Sequence, residues 1–245
     1  IDSQSMTRDI SSDISKIRLL LTEPHECSYL DGQKATTAFV DPEIKMDTAL
    51  YGRMSAIGFR RSGAYLYTPM CHNCNACVPT RVPVDLFKRN RSQRRCWNRN
   101  LDVQINQRDA IDLDEHYPIY DRYISDRHHD GDMFPPTREQ FDQFLGRPWE
   151  CTNFLEFRVY GKLIGCAVVD VLPDALSAIY TYFDPLESAR SLGTLAVLFQ
   201  ISLAQQLGMG YLYLGYWIKD CQKMSYKTNY RPLELLQENT WLISE

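Results

Sequence analysis

Cysteines 71, 74 and 77 stand three residues apart in the run Cys71-His72-Asn73-Cys74-Asn75-Ala76-Cys77. Thiolates at that spacing can converge on one soft ion, Zn²⁺ or iron–sulfur, because a tight turn brings both sulfurs of a Cys-x-x-Cys to one side. Cys27 is the first candidate for a fourth ligand, with His72 and Cys96 behind it. The competing reading is a knuckle of reduced thiols packed without metal, and with no second Cys-x-x-Cys pair both stay open. Cys151, Cys166 and Cys221 lie in apolar surroundings and read as core.

The stretch from Lys88 to Arg99 carries six cations in twelve positions (Lys88, Arg89, Arg91, Arg94, Arg95, Arg99) and no acid. A merely solvated helical face intersperses Glu or Asp for pairing, so the pattern points to a polyanion. Guanidinium forks match phosphate oxygens, and Trp97 can stack on a base, which fits an RNA backbone. Further on, Arg190-Ser191-Leu192-Gly193-Thr194 opens an amphipathic helix whose first N–H groups, with Arg190, make a nest for an anion. Leu195 fills the place where CoA-binding loops keep a small residue, so the anion fits a phosphate near a tRNA 3′ end better than a pyrophosphate. A plain helix start without ligand explains the motif equally well. The aromatics and lysines of Tyr211–Lys219 and Lys223–Lys227 read, by themselves, as core rings with surface lysines.

These groups must be positioned by a chain of 245 residues, 44% hydrophobic and 12% aromatic, enough for one large domain or two small ones. The net charge of −4 confines polyanion binding to a local patch. No run of about 18 apolar residues occurs, and Asp2, Asp9, Asp13 and Lys16 stand where a signal peptide is apolar, which places the chain in the cytoplasm, away from membranes. Ile1 to Ser5 precede Met6 and read as a remnant of expression. Residues 6–45 have no clear period and read as irregular or short-stranded around a turn at 27–32. Asp47 caps a short helix ending at Gly58, and residues 59–69 read as a strand leading into the cysteines.

The composition turns acidic after Asn100, which sets a domain boundary: 1–108, cysteine-bearing and basic, and 109–245. The second half reads as a helix over 115–129, a helix capped by Thr137 running to Gly146, and a hairpin of 154–160 and 163–172 about Gly161-Lys162. A strand over 176–183, a helix over 191–207 and a strand over 211–216 follow. The whole is α+β. The order matches acyl-CoA N-acyltransferase (GNAT)-like folds, an antiparallel meander followed by a helix that receives a phosphate.

Taken together the segments resemble the arginyl-tRNA–protein transferase family, in particular its bacterial aspartate/glutamate leucyltransferase branch. The likeness spans most of the chain. It rests on Cys27-Ser28-Tyr29-Leu30, Gly58-Phe59-Arg60-Arg61-Ser62-Gly63, the cysteine triplet followed by Pro79-x-Arg81-Val82-Pro83, and Arg91-Ser92-Gln93-Arg94-Arg95. In the second half it rests on Tyr180-Thr181-Tyr182-Phe183-Asp184-Pro185, Arg190-Ser191-Leu192-Gly193, Tyr213-Leu214-Gly215-Tyr216-Trp217 and Lys223-Met224-x-Tyr226-Lys227.

The resemblance implies a GNAT-like second domain and transfer of an amino acid, leucine before arginine, from aminoacyl-tRNA to the amino-terminal Asp or Glu of a protein, creating an N-degron for regulated proteolysis. An acetyl-CoA-dependent N-acetyltransferase is the alternative. The ester is already activated, so the chemistry requires no cofactor. Eukaryotic relatives bind an iron–sulfur cluster or another metal through N-terminal cysteines and carry a second cysteine close after the first, where this chain has Tyr29 and Leu30, so Zn or iron–sulfur at Cys27, Cys71, Cys74 and Cys77 stays open. In this reading Arg60, Lys88, Arg89, Arg91, Arg94, Arg95, Arg99, Arg190 and Gly193 hold tRNA, and Arg61, Lys223 or Lys227 pairs with the acidic side chain. Asp184, or a water it holds, is the base, and Tyr180, Tyr216 or Tyr226 donates to the oxyanion or leaving hydroxyl.

Overall fold

The computed structural model describes Ile14 and residues 16–244; Asp2, Asp9, Asp13 and the Ile1–Ser5 segment lie outside the described residues. Short strands β1 (Leu19–Leu21), β2 (His25–Glu26), β3 (Lys34–Ala35) and β4 (Thr37–Val40) open the chain. Helix α1 (Thr48–Ala56) begins where the Asp47 carboxylate accepts the Leu50 N–H at 2.7 Å. The expected single strand over 59–69 is a hairpin, β5 (Arg60–Ser62) and β6 (Tyr65–Pro69), because Gly63 turns the chain with φ +56°. Then come β7 (Val78–Pro83), α2 (Arg91–Arg99), β8 (Gln104–Arg108), α3 (Leu113–Arg127) and α4 (Arg138–Phe141), whose last turn continues to Gly146. Strands β9 (Thr152–Val159) and β10 (Lys162–Val171) form the expected hairpin, with Tyr160 and Gly161 both at positive φ in the turn. After these follow β11 (Ala175–Phe183), α5 (Leu192–Gln206), β12 (Tyr211–Trp217), β13 (Leu233–Gln237) and β14 (Thr240–Ser244).

Two sheets carry most of this chain, beside the two-stranded pair β2-β3. The small one runs β1-β4-β6-β5; the large one runs β14-β13-β7-β12-β11-β10-β9-β8 and is antiparallel except at β11/β12. The fold is therefore the expected α+β mixture with a mainly antiparallel sheet. Strands β7 and β8 precede residue 109, yet β7 lies between β13 and β12 and β8 lies beside β9, so the large sheet crosses the 108/109 division. Strand β7 escapes a reading from pattern because Pro79 and Pro83 argue against a central strand. Both are tolerated here. The ladder to β13 covers only Thr80 and Arg81, and the ladder to β12 is broken by a register shift between Tyr213 and Gly215.

Strand β10 is buried on both faces, as its unbroken apolar run requires. Ile164, Ala167 and Val169 pack toward α5, whose Leu195, Leu198 and Ile201 fill one core. Leu163, Cys166 and Val168 face a second core under α3 and α4, with Ile119, Tyr120 and Phe141. A third core joins α1 (Tyr51, Met54) and β6 (Leu66) to Tyr213 of β12.

One buried ion pair ties the small sheet to the large. Arg61 Nε and Nη2 donate to Asp170 Oδ2 and Oδ1 at 2.6 and 2.9 Å, and Tyr51 and Thr152 hydroxyls donate to the same carboxylate at 2.9 and 2.7 Å. The Trp149 ring covers the guanidinium at 5.3 Å. Removing either partner strands the other's charge without solvent, so Arg61→Ala or Asp170→Ala should each cost about 3–5 kcal/mol in denaturant unfolding. An Arg61→Leu/Asp170→Leu double variant should cost less than the sum of the single variants.

Candidate active site

Strands β11 and β12 pair only over Ala175–Ser177 and Tyr211–Tyr213. Beyond that, β11 follows β10 to Phe183 while β12 follows β7 to Trp217, so the two neighbours part and stop sharing a hydrogen-bond ladder. A cleft of about 1720 Å³ opens at this parting, walled by β11 from Ser177, the Gly193–Gln200 face of α5, the end of β12 and the turn over 222–229. Gly215 sits in the bulge of β12 with φ +82°, and a Cβ there would lie 3.6 Å from the Lys227 ammonium. The positive φ is what calls for glycine here, since the contact itself is of ordinary length.

The floor of the cleft is positively charged. Lys227 is 6% exposed; its Nζ donates to the Tyr216 carbonyl, and no carboxylate among the described residues pairs with it. Burial, then the charge of Arg60, pushes its ammonium down to about 8. Arg60, 4% exposed, also lines the cleft; its Nη1 donates to the carbonyls of Ser55 (2.9 Å) and Phe59 (2.6 Å), and its guanidinium lies 4.6 Å from the centre of the Tyr213 ring. At the rim, Asn90, Ser92 and Gln93 bring the start of α2 to the cleft. Asn90 and Gln93 cap that helix reciprocally, and the Gln93 amide donates to the Asn229 carbonyl at 2.9 Å. Arg91, Arg94, Arg95 and Arg99 project from it, exposed and without an acidic partner among the described residues.

A family model described as "Arginine-tRNA-protein transferase, N terminus" matches residues 25–95, and its "C terminus" counterpart matches residues 115–237. The chain is 52% identical over 232 residues to a curated aspartate/glutamate leucyltransferase of Saccharophagus degradans, covering 94% of this chain and 98% of that one. The chain belongs to the arginine-tRNA-protein transferase family. It is also 50% identical to the aspartate/glutamate leucyltransferase of Pseudomonas fluorescens, covering 95% of this chain and 99% of that one. Among solved structures, L-PGS from Bacillus licheniformis is 10% identical, covers 80% of this chain and 69% of that chain, and has a TM-score of 0.44.

The family's motif residues fall into three groups. Tyr180, Tyr226, Lys223, Lys227 and Gly193 come together in the cleft. The Tyr180 hydroxyl is buried with no hydrogen-bond partner among the described residues, Phe144 packs edge-on against its ring, and burial pushes the hydroxyl well up. Tyr226 turns part of its ring to the cleft, and burial raises its hydroxyl to about 12. Lys223 is exposed and paired with Asp130 at 2.8 Å.

A second group is committed elsewhere. Arg61, expected at the acidic substrate, has its charge taken by Asp170. Tyr216, expected as a donor, gives its hydroxyl proton to the Gly58 carbonyl at 2.7 Å. Asp184, expected as the base, does not line the cleft: one oxygen caps the following turn through Leu186 N–H at 3.1 Å and the other accepts from Arg122 at 2.9 Å. Arg190 is held by Asp102 at 2.8 and 2.9 Å and by Glu187. Arg60 is too deep to meet a tRNA stem.

The third group is the basic segment, where Lys88 is exposed, while Arg89 lies flat on Trp97 at 3.6 Å and occupies a face of that ring. Pattern reading missed Gln200, 1% exposed on the cleft face of α5 with its Oε1 unpartnered among the described residues, although an amide in the apolar middle of the helix was the available signal.

Cys27, Cys71, Cys74 and Cys77 also share the cleft wall. Burial and the neighbouring thiols push Cys77 up to about 11, and Cys71 Sγ is spent on the Thr36 carbonyl at 3.8 Å. No three His, Cys, Asp or Glu side chains converge as a metal-ligating group among the described residues.

Lys227 has a measurable signature. Its folded value near 8 lies below the ordinary 10.5, so between those values the unfolded chain holds a proton that the folded chain has lost, and stability rises with pH. The wild type should gain ~2 kcal/mol over Lys227→Met between pH 7 and 10, read by denaturant unfolding at each pH.

Proposed function

We propose that this protein transfers leucine from leucyl-tRNA to the amino-terminal Asp or Glu of a protein, marking it as an N-degron. The observation that carries the reading is a cleft whose buried cation, Lys227, lacks a carboxylate, next to a helix of unpaired arginines. An acidic side chain supplies the missing counter-charge, and a phosphate backbone supplies the partner for α2. The activity named for relatives about half identical over nearly their whole length supports the same donor and acceptor.

In this reaction the α-amine attacks the ester carbonyl, the new C–N bond forms and the C–O bond to the terminal ribose breaks. The incoming ammonium gives up two protons, one to the leaving ribose oxygen and one to solvent. The chain's contribution is placement and charge. The arginines of α2 hold the acceptor stem, Lys227 orients the acidic side chain, and the buried Tyr180 hydroxyl donates to the carbonyl oxygen as it becomes negative. Tyr226 is proposed to meet the leaving hydroxyl. Substrates of this kind place the enzyme in the cytoplasm; among the described residues no helix is long and apolar enough to cross a membrane.

Purified protein given labelled leucyl-tRNA should add one leucine to peptides headed by Asp or Glu and leave Ala-headed peptides unchanged. Labelling from arginyl-tRNA or acetyl-CoA in place of leucyl-tRNA would overturn the donor. Replacing Arg91, Arg94 and Arg95 by Ala should weaken tRNA binding and flatten the slope of log affinity against log salt by up to ~0.7–0.9 per lost contact, measured by filter binding.

A further inference from the structure

Two adjacent arginines, Arg60 and Arg61, are both buried and are used in opposite ways. Arg61 turns the Nε–Nη2 edge of its guanidinium onto Asp170, two parallel donors on two carboxylate oxygens. Arg60 spends Nη1 on backbone carbonyls, and its Nε and Nη2 have no hydrogen-bond partner among the described residues. A buried guanidinium left with that edge empty is costly, and burial already lowers its proton affinity. The aromatic faces of Tyr213 and Tyr216, at 4.6 and 6.0 Å, steady the charge without accepting its N–H groups.

Arg60 lines the cleft on the side of Lys227, close enough that its charge lowers the proton affinity of the Lys227 ammonium. Neither pairs with a carboxylate among the described residues. Gly215, which lines the same cleft beside the Lys227 ammonium, contributes no side chain. Two unneutralised cations, one presenting an empty planar fork and the other a point charge, match one carboxylate.

We infer that Arg60 and Lys227 form a two-point receptor for the carboxylate of the substrate's acidic first residue, with the Nε–Nη2 edge of Arg60 as its bidentate arm. The inference rests on the transfer reading above. It reassigns the role expected of Arg61 to its neighbour. The carboxylate takes on Arg60 the place that Asp170 holds on Arg61, and the Tyr213 and Tyr216 rings adjust to admit it.

The test is leucylation, with saturating leucyl-tRNA, of peptides that differ only in Asp or Asn at the first position, using wild type and Arg60→Lys. The lysine keeps the charge and removes the fork. The expected result is at least a tenfold loss in kcat/KM for the Asp peptide, carried by KM, with the Asn peptide unaffected, so that the Asp-over-Asn preference collapses. Leucyl-tRNA binding and the melting temperature should hold. A folded Arg60→Lys enzyme that keeps the wild-type preference would overturn the receptor and leave the transfer reading intact, whereas a wild type that never leucylates the Asp peptide would sink the transfer reading itself. Should Arg60→Lys fail to fold, ¹⁵N spectra of wild-type arginine side chains carry the test. Saturation with the Asp peptide, without tRNA, should move a slowly exchanging Nε–H signal downfield, and the Asn peptide should not. No such movement would refute the assignment.

Discussion

The parallel pairing of β11 with β12 lasts three residues, and the functional groups are arranged around the place where it stops. A longer ladder would close the sheet over Gly215 and leave no space between α5 and the turn that carries Lys227. Two neighbours enforce the parting. Phe183 and Tyr182 hold β11 against Gly165 of β10, where an added Cβ would meet Phe183 Cβ at 2.8 Å, and the register shift at Tyr213/Gly215 bends β12 along β7. Strand β7, from the first half of the chain, is thus what draws β12 away.

The distribution of charge follows from the same opening. Where the structure must be rigid, cations are neutralised by the protein's own acids, as buried Arg61 is by Asp170 and half-buried Arg190 by Asp102 and Glu187. Where a substrate must enter, they are left unpaired, as at Arg60, Lys227 and the exposed face of α2. Stability is given up at the cleft floor and recovered in the network around Asp170, which fastens the small sheet beside it.

Much of the frame was readable from pattern alone. The Asp47 cap, the glycine of the Gly161-Lys162 step and the apolar run of α5 are local signals, and each produced the expected element, with the hairpin turn shifted by one residue to Tyr160-Gly161. Strand β7 was hidden by its prolines, and the 60–69 hairpin by a glycine whose sign of φ no composition reveals. Site residues were harder for a different reason. Arg60 and Arg61 are the same residue type side by side, and which one meets an internal acid depends on Asp170, more than a hundred positions away. Asp184, read as a base, is a cap, since an Asp-Pro step at the end of a strand also fits a turn start.

The account's central claim is that the ester lies in the parting of β11 and β12 with the stem running back along α2. The most direct test is a crystal structure with a short acceptor-stem RNA whose terminal ribose carries leucine through a non-hydrolysable amide. The account predicts that amide carbonyl between Tyr180 and Lys227, with phosphates on Arg91, Arg94 and Arg95. A stem on another face, or an amide outside the cleft, would contradict it.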